Sequence, residues 1–353
     1  MRRILHVITT INRGGAENQL LILARAQTKS GCEVEVVFLK GEPELLFDFE
    51  TSGVKVNSFL LGKHPLIQLY LFRKYIRKYS GVIHAHLPRA ELLSALSIRD
   101  FVFSRHNAEA FFPGAPRIIS MVLSRFVSTR AKLAIAISEA VRTFLYQSKE
   151  IGKNCEIPVV YYGIESAAKR NQLSPAVAGN HPKIGTISRL VQQKDLRTLI
   201  SAFSLLLPDF PEAELLIAGS GQLEIELRDF ARNLGVDSRI KWLGRMADTE
   251  SFYLSINTFV LSSTYEGFGL VLLEAMNYGV PVVATNISAI PEVIGFDHPL
   301  ISDLSNANSF ANNILKSLDD GNRKSILAYQ SERVAEFSTD TLVQKLERLY
   351  AKS

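Results

Sequence analysis

Short runs of apolar residues recur along the chain, separated by longer stretches whose apolar positions follow helical spacing. Within the runs, apolar residues stand at successive positions rather than at every second one, the pattern of strands buried on both faces of a parallel sheet. In the first half this predicts strands over 4–9, 33–39, 54–60, 81–84, 101–104, 133–136 and 159–161. Helices are predicted over 16–30, 66–79, 90–96, 118–130 and 139–148. Residues 169–182, K-R-N-Q-L-S-P-A-V-A-G-N-H-P, are polar, punctuated by proline and glycine, and read as a linker. A second series follows, with strands over 183–187, 214–217, 240–243, 258–261 and 281–284 and a helix over 270–278 that Gly279 terminates. Alternating strands and helices on both sides of a linker predict an α/β protein of two doubly wound, Rossmann-like domains facing across a cleft. The expected boundaries are 1–168 and 183–337, with a C-terminal helix at about 338–353 packing back on the first domain.

With 353 residues, 47% of them hydrophobic, the chain is large enough for two cores. No apolar run approaches the roughly 20 residues needed to cross a bilayer. The start, M-R-R-I-L-H-V-I, has the two basic residues of a signal peptide. However, His6, Thr9 and Thr10 interrupt its apolar stretch, which leads into a glycine turn and reads as a first strand. Cys32 and Cys155 show neither disulfide nor metal spacing, which points to a reducing compartment and a cytoplasmic location. Charge is unevenly distributed: residues 1–168 hold 22 Lys plus Arg against 14 Asp plus Glu, and the remainder 18 against 21. The excess clusters with aromatic and aliphatic residues in 66–78 (Arg73, Lys74, Arg77 and Lys78) and in 111–132 (Arg117, Arg125 and Arg130). Basic amphipathic helices lie on anionic membranes, each Lys or Arg adding on the order of 1 kcal/mol. A peripheral position on an anionic membrane surface is one reading of these clusters, and an ordinary solvated helix face is the other. No nucleic-acid-binding module is recognisable, so nucleic acid is not expected as a partner.

The densest chemical signal is 262–284, S-S-T-Y-E-G-F-G-L-V-L-L-E-A-M-N-Y-G-V-P-V-V-A. A buried strand ends just before it, Glu266-Gly267-Phe268-Gly269 forms a turn, and a helix carrying Glu274 begins at once. Open parallel sheets bind anions at such strand ends, where backbone N–H groups and the helix dipole favour negative charge. Gly14-Gly15 after the first strand is a second such turn, and Ile217-Ala218-Gly219-Ser220-Gly221 a third. Ser188-Arg189-Leu190-Val191-Gln192-Gln193-Lys194 follows the first strand of the second series, and two fixed cations there suit a diphosphate. His84 and His86 follow an earlier strand, but no third metal ligand is evident from spacing, and hydrogen-bonded histidines at a strand end are the alternative. His106 likewise follows a predicted strand.

Together these residues resemble the large family of retaining glycosyltransferases of the GT-B fold, which includes glycogen synthase, sucrose synthase and many bacterial polysaccharide enzymes. The resemblance spans nearly the whole chain: G-G-A-E at 14–17, A-I-S-E-A-V at 136–141, I-S-R-L-V-x-x-K-D at 187–195, I-A-G-S-G at 217–221, W-L-G at 242–244, E-G-F-G-L from Glu266 with Glu274 beyond it, and I-P-E-V-I at 290–294. It implies that Arg189 and Lys194 hold the donor's diphosphate and stabilise its growing charge. It further implies that backbone at Phe268, Gly269 and Leu270 binds the same phosphates, that Glu274 binds the ribose, and that Glu266 binds the donor sugar. Met246 matches the contact to the base, Gly15 the loop that approaches the diphosphate, and His106 the active-site histidine near the sugar. Two positions depart from the family pattern: Tyr162-Gly163-Ile164-Glu165 stands where N-G-I-D is common, and Ser188 where glycine precedes the arginine. The reaction implied is transfer from a nucleotide sugar to a glycan with retention of configuration, without metal or other cofactor. A lipid-linked intermediate of bacterial surface polysaccharide synthesis is the best acceptor, because the basic first half suits a substrate held at a membrane. Rival readings are a sugar-nucleotide 2-epimerase of the same fold and a non-catalytic sugar-nucleotide-binding subunit. A nicotinamide dehydrogenase is disfavoured by the lack of G-x-G-x-x-G after the first strand.

Overall fold

A computed structural model describes residues 2–152, 156–165, 181–246 and 248–352. Cys155 and all but the last two residues of the 169–182 linker lie outside these. The chain divides into two compact units, residues 1–165 with 337–353, and residues 166–336.

The first unit contains strands β1 (Arg3–Ile8), β2 (Glu33–Phe38), β3 (Lys55–Asn57), β4 (Val82–His86), β5 (Phe101–Arg105) and β6 (Ala131–Ala136). They form one sheet in the order β3-β2-β1-β4-β5-β6, every neighbouring pair parallel. The helices are α1 (Gly15–Lys29), α2 (Leu46–Thr51), α3 (Pro65–Ile76), α4 (Pro88–Ser97), α5 (Arg117–Arg130) and α6 (Glu139–Gln147). Local chemistry sets their starts. Pro65 opens α3, where its missing N–H costs nothing, and the Ser138 hydroxyl caps α6 by accepting from the Val141 amide. The α14 helix (Thr339–Lys352) belongs to this unit: Leu342, Val343, Leu346 and Tyr350 are buried in the same core as Leu20, Leu23 and Ala24 of α1. Three sequence expectations change, the first being that the strand expected over 54–60 is only Lys55–Asn57. Residues 159–161 form no strand, only a single bridge from Val159 to Ala136, because β6 ends at Ala136 and offers no further partner. The helix α2 is not foreseen from sequence, since its six residues carry too little periodicity to register.

The second unit repeats the plan with β7 (Lys183–Ile187), β8 (Glu214–Ala218), β9 (Ile240–Gly244), β10 (Thr258–Leu261), β11 (Val282–Thr285) and β12 (Ile301–Ser302). Its order is β12-β11-β10-β7-β8-β9, again all parallel. Flanking it are α7 (Leu196–Leu206), α8 (Glu224–Asn233), α9 (Thr249–Ser255), α10 (Leu270–Asn277), α11 (Ile290–Ile294), α12 (Ala307–Leu318) and α13 (Asp320–Ala335). The strands Thr258–Leu261 and Val282–Thr285 are buried at every position, as an apolar run covered on both faces must be. In each unit the strand order reverses once, between β1 and β4 and between β7 and β10. At such a switch point the two following loops run in opposite directions and leave a crevice at the strands' carboxyl ends.

Candidate active site

In the second unit, the loops after β7 and β10 flank that crevice. They carry Arg189 and Lys194 on one side and Glu266 on the other. Backbone packing fixes the β7 loop: Ser188 N–H donates to Ala218 C=O, and Leu190 N–H to Ser220 C=O. A Cβ on Gly219 would sit 1.8 Å from the Ser188 oxygen, and one on Gly221 2.3 Å from the Leu190 oxygen. These glycines, which in sequence read as an anion-binding turn, admit the neighbouring loop at close range. The loop then makes a 3₁₀ turn over Gln192–Lys194 and passes through left-handed Asp195 (φ 42°) into α7.

Hydrogen bonds stitch the two loops together. The Gln193 amide nitrogen donates to Tyr265 C=O at 2.9 Å, Thr264 N–H to Gln193 C=O at 2.8 Å, and the Ser262 hydroxyl to Lys194 C=O at 2.9 Å. Across this seam the Lys194 ammonium pairs with the Glu266 carboxylate, and the Ser263 hydroxyl donates to the same carboxylate oxygen at 2.6 Å. The two side chains are only 13% and 11% exposed. Removing either partner would strand a charge largely withdrawn from water. Arg189 is exposed, its guanidinium donating to the Gln193 side-chain oxygen at 3.2 Å, so it can turn toward an anion at small cost.

Glu266 leads through buried Phe268 to Gly269, whose φ of 92° no other residue adopts readily, and then into α10. No side chain caps this helix, so its leading N–H groups and its dipole are directed at whatever lies before Gly269. Two turns along, half-buried Glu274 accepts a 2.8 Å bond from the buried Tyr253 hydroxyl of α9. Burial pushes the Glu274 pKa up to about 7, and the Tyr253 bond only partly offsets this. Met246 follows β9, beyond left-handed Gly244. The structure thus gathers Arg189, Lys194, Glu266, Phe268, Gly269 and Leu270 around one crevice, with Glu274 behind the helix start and Met246 two strands away. Sequence reasoning missed Gln193, Ser263 and Tyr253. The S-S-T run after β10 was a visible signal for the serine, whereas nothing local marks Tyr253.

In the first unit, Gly14 caps α1 in an extended conformation. A Cβ there would meet the Glu17 carboxylate at 2.5 Å, a group held by the Thr10 hydroxyl. Beyond its chain neighbours and the helix's own backbone, no atom of the described residues lies within 4 Å of a Cβ built on Gly15, so no close contact calls for glycine at 15. His106 lies just past β5, its Nε2 3.0 Å from His86 Nδ1 and its Nδ1 bonded to the Tyr162 hydroxyl. The expectation that His84 and His86 have no third partner of metal-ligand type is overturned. The β1–β4 register sets His6 beside His84, and the three buried rings offer ligand atoms within 4.8 Å of one another. Spacing along the chain could not reveal this, because parallel pairing brings together residues far apart in sequence. Every ring nitrogen of these three histidines nevertheless has a protein partner within hydrogen-bond distance.

Comparison with known proteins bears on family and fold. Residues 13–167 match the family described as Glycosyltransferase Family 4, and residues 169–334 that described as Glycosyl transferases group 1. A capsular polysaccharide biosynthesis glycosyltransferase of Staphylococcus aureus, CapM, is 26% identical over 380 residues, covering 99% of this chain and 97% of its own. A phosphatidyl-myo-inositol mannosyltransferase of Propionibacterium freudenreichii subsp. shermanii is 29% identical over 340 residues, covering 87% and 83%. The Anabaena protein HepE, solved in complex with UDP and glucose, superposes with a TM-score of 0.83 at 20% identity, covering 100% of both chains. The chain belongs to the group 1 glycosyltransferases and has their GT-B fold.

Proposed function

We propose that this glycosyltransferase moves a sugar from a nucleoside diphosphate sugar to a lipid-linked glycan, with retention of anomeric configuration. The observation that carries this reading is the crevice where exposed Arg189 and the Lys194–Glu266 pair meet the uncapped start of α10. A diphosphate fits these groups: two cations from one loop, and backbone N–H groups around Phe268, Gly269 and Leu270 from the other. Glu274 receives the ribose hydroxyls, Met246 lies against the base, and Glu266 receives hydroxyls of the transferred sugar. Gly15 and His106, of the first unit, keep the roles that the resemblance implies for them.

The bond from the sugar's anomeric carbon to the diphosphate breaks, and the acceptor oxygen bonds to that carbon on the same face. The acceptor's proton passes to a phosphate oxygen of the leaving group. Arg189 and Lys194 stabilise a charge that is larger in the transition state than in the bound donor, which is the condition for catalysis rather than mere binding. Fixed cations of this kind supply the charge that a divalent metal would otherwise bring, so turnover is expected to survive EDTA. A screen of uridine, guanosine and adenosine diphosphate sugars tests the reading. The true donor stabilises the native protein by roughly 2.7 kcal/mol at 100-fold over its dissociation constant. Inversion at the anomeric carbon of the product, or loss of turnover in EDTA, would overturn the mechanism.

An acceptor at an anionic membrane surface is supported by the helices on either side of α4. Leu66, Ile67 and Tyr70 of α3 are 70%, 48% and 65% exposed, and Ile118, Ile119 and Val122 of α5 are 72%, 50% and 54% exposed. Both helices contact α4 and carry basic residues beside these apolar ones. Arg73 donates to Leu96 C=O and so has a structural task, which leaves Lys74, Arg77 and Lys78 as the cleaner probes. Neutralising those three is expected to weaken binding to anionic vesicles, and added salt to mimic the loss, since charges are screened beyond about 8 Å at physiological ionic strength. Equal binding to anionic and neutral vesicles at low salt would remove the membrane from the proposal. No helix among the described residues is long and apolar enough to cross a membrane.

A further inference from the structure

Three histidines lie on the adjacent strands β1 and β4 of the first unit and a fourth, His106, just past β5, and three of the four join one chain of hydrogen bonds. Gln27 Oε1 of α1 meets His6 Nε2 at 2.8 Å, His6 Nδ1 meets His86 Nε2 at 2.9 Å, His86 Nδ1 meets His106 Nε2 at 3.0 Å, and His106 Nδ1 meets the Tyr162 hydroxyl. The fourth, His84, is held separately between Tyr350 and Ser104. His6 and His84 are fully buried, His86 is 2% exposed and Tyr162 8%.

The Gln27 carboxamide sets the direction of the chain. Its Oε1 can only accept, so His6 carries its proton on Nε2 and accepts at Nδ1. The same constraint passes on: His86 donates from Nε2 to His6 and accepts at Nδ1, and His106 donates from Nε2 to His86. His106 Nδ1 is then left to accept from the Tyr162 hydroxyl. A proton added to His6 or His86 would place two donors face to face. Burial independently disfavours it, lowering His6 to about 4, His106 to about 3, and His86 well below its ordinary value. The far end is an amide, which cannot take up a proton and pass it on. The chain is therefore a lock on tautomer and ring orientation, and not a proton conduit.

We propose that His86 and Tyr162 are positioning residues that fix His106 as the neutral, Nε2-protonated tautomer. His106 then presents only an acceptor, Nδ1, to a substrate. The group it recognises is a hydroxyl, which reaches Nδ1 by displacing that of Tyr162; an oxyanion is refused. Tyr162 is one of the positions at which this chain departs from the pattern it otherwise resembles, so the lock belongs to this sequence. The substrate half of the proposal rests on the reading of His106 as a donor-sugar contact, whereas the lock itself does not.

Nuclear magnetic resonance of the full-length protein labelled with ¹⁵N histidine reads the tautomers directly. His6, His86 and His106 are expected as neutral Nε2–H rings at neutral pH. An Nδ1–H or exchange-averaged His106 would overturn the lock, as would stoichiometric Zn²⁺ uptake that is lost in His6→Ala. In His86→Leu, His106 is expected to become a mixture of tautomers and kcat/KM for the donor to fall roughly tenfold, the scale of one hydrogen bond. His86→Gln offers one acceptor and one donor as the neutral imidazole does, and is expected to restore both. If both variants are folded and Gln is as slow as Leu, positioning through hydrogen bonds is refuted. His106→Ala separates the two halves: unchanged turnover there would refute the sugar contact while the tautomers of His6 and His86 still test the lock.

Discussion

Arg189 and Lys194 share one short loop, yet the structure assigns them different duties. Lys194 is mostly withdrawn from water and neutralises Glu266, so Lys194→Ala would unbalance a buried carboxylate as well as remove the proposed phosphate contact. Arg189 is exposed and its guanidinium rests on the neutral Gln193 amide, which makes it the cleaner test of transition-state stabilisation. Arg189→Ala is expected to lower kcat by about 10²-fold or more while changing donor affinity less. An effect on affinity equal to that on kcat would show that this cation only anchors. Glu274 makes a pH prediction. Its free carboxyl titrates at about 7 because burial disfavours the charge. In the proposed complex, ribose hydroxyls donating to it would favour the anion and hold its pKa below that of the free protein. Nucleotide affinity should therefore rise with pH up to about 7 and level off above, an effect calorimetry would detect as proton release on binding. Glu274→Gln should abolish that pH dependence while keeping one acceptor, and a pH-independent wild type would remove Glu274 from the ribose.

At the scale of elements, placement depends on contacts between loops more than on the strands that bear them. Gly219 exemplifies this: with φ of +128° and the Ser188 oxygen 1.8 Å from where its Cβ would be, it sets how close the β7 loop lies to β8. Gly219→Ala should displace Ser188 and Arg189 together, lowering both stability and turnover, with a cost of roughly 1–3 kcal/mol for an overpacked contact. Wild-type turnover and melting temperature in that variant would refute the packing role of this glycine. The C-terminal helix α14 is a second case, because Leu346 is buried in the core of the first unit although it follows the second unit in sequence. Leu346→Ala is expected to destabilise the first unit by about 2–5 kcal/mol, readable by denaturant unfolding.

For the whole molecule, buried ionisable groups are unequally shared. The first unit holds His6, His84, His86 and His106, all lowered by burial, with Glu91 raised to about 7 by the same cause. The second holds His298, lowered to about 4, and Glu274, raised to about 7. A histidine buried neutral is protonated first in the unfolded chain. Its stabilising contribution is complete above pH 6.5 and is lost as pH falls toward its folded value. A glutamate with raised pKa acts oppositely, adding stability as pH falls from about 7 to 4.5. With four such histidines against one in the second unit, the first unit should weaken sooner on acidification. Hydrogen exchange between neutral pH and about pH 5 should show β1, β4 and β5 opening before β7, β8 and β10; simultaneous opening would contradict the assignment.

Much of this was legible in the sequence, for a local reason. Strands of a doubly wound sheet are buried on both faces, so runs such as Phe259-Val260-Leu261 must be apolar throughout. Glycine at the left-handed start of α10 is likewise a demand made by its own backbone. The Arg189, Lys194, Glu266 and Glu274 pattern was readable because each residue sits at a fixed distance from such an element. Three matters were decided only by tertiary structure. Strand register set His6 beside His84, and the approach of two loops gave Gly219 its purpose. The packing of α9 against α10 set the Tyr253 hydroxyl on Glu274 and, with the burial around it, moved that carboxyl's pKa. Each of these joins groups distant along the chain, and pairing across such distances is fixed by three-dimensional packing, of which no single segment carries a record.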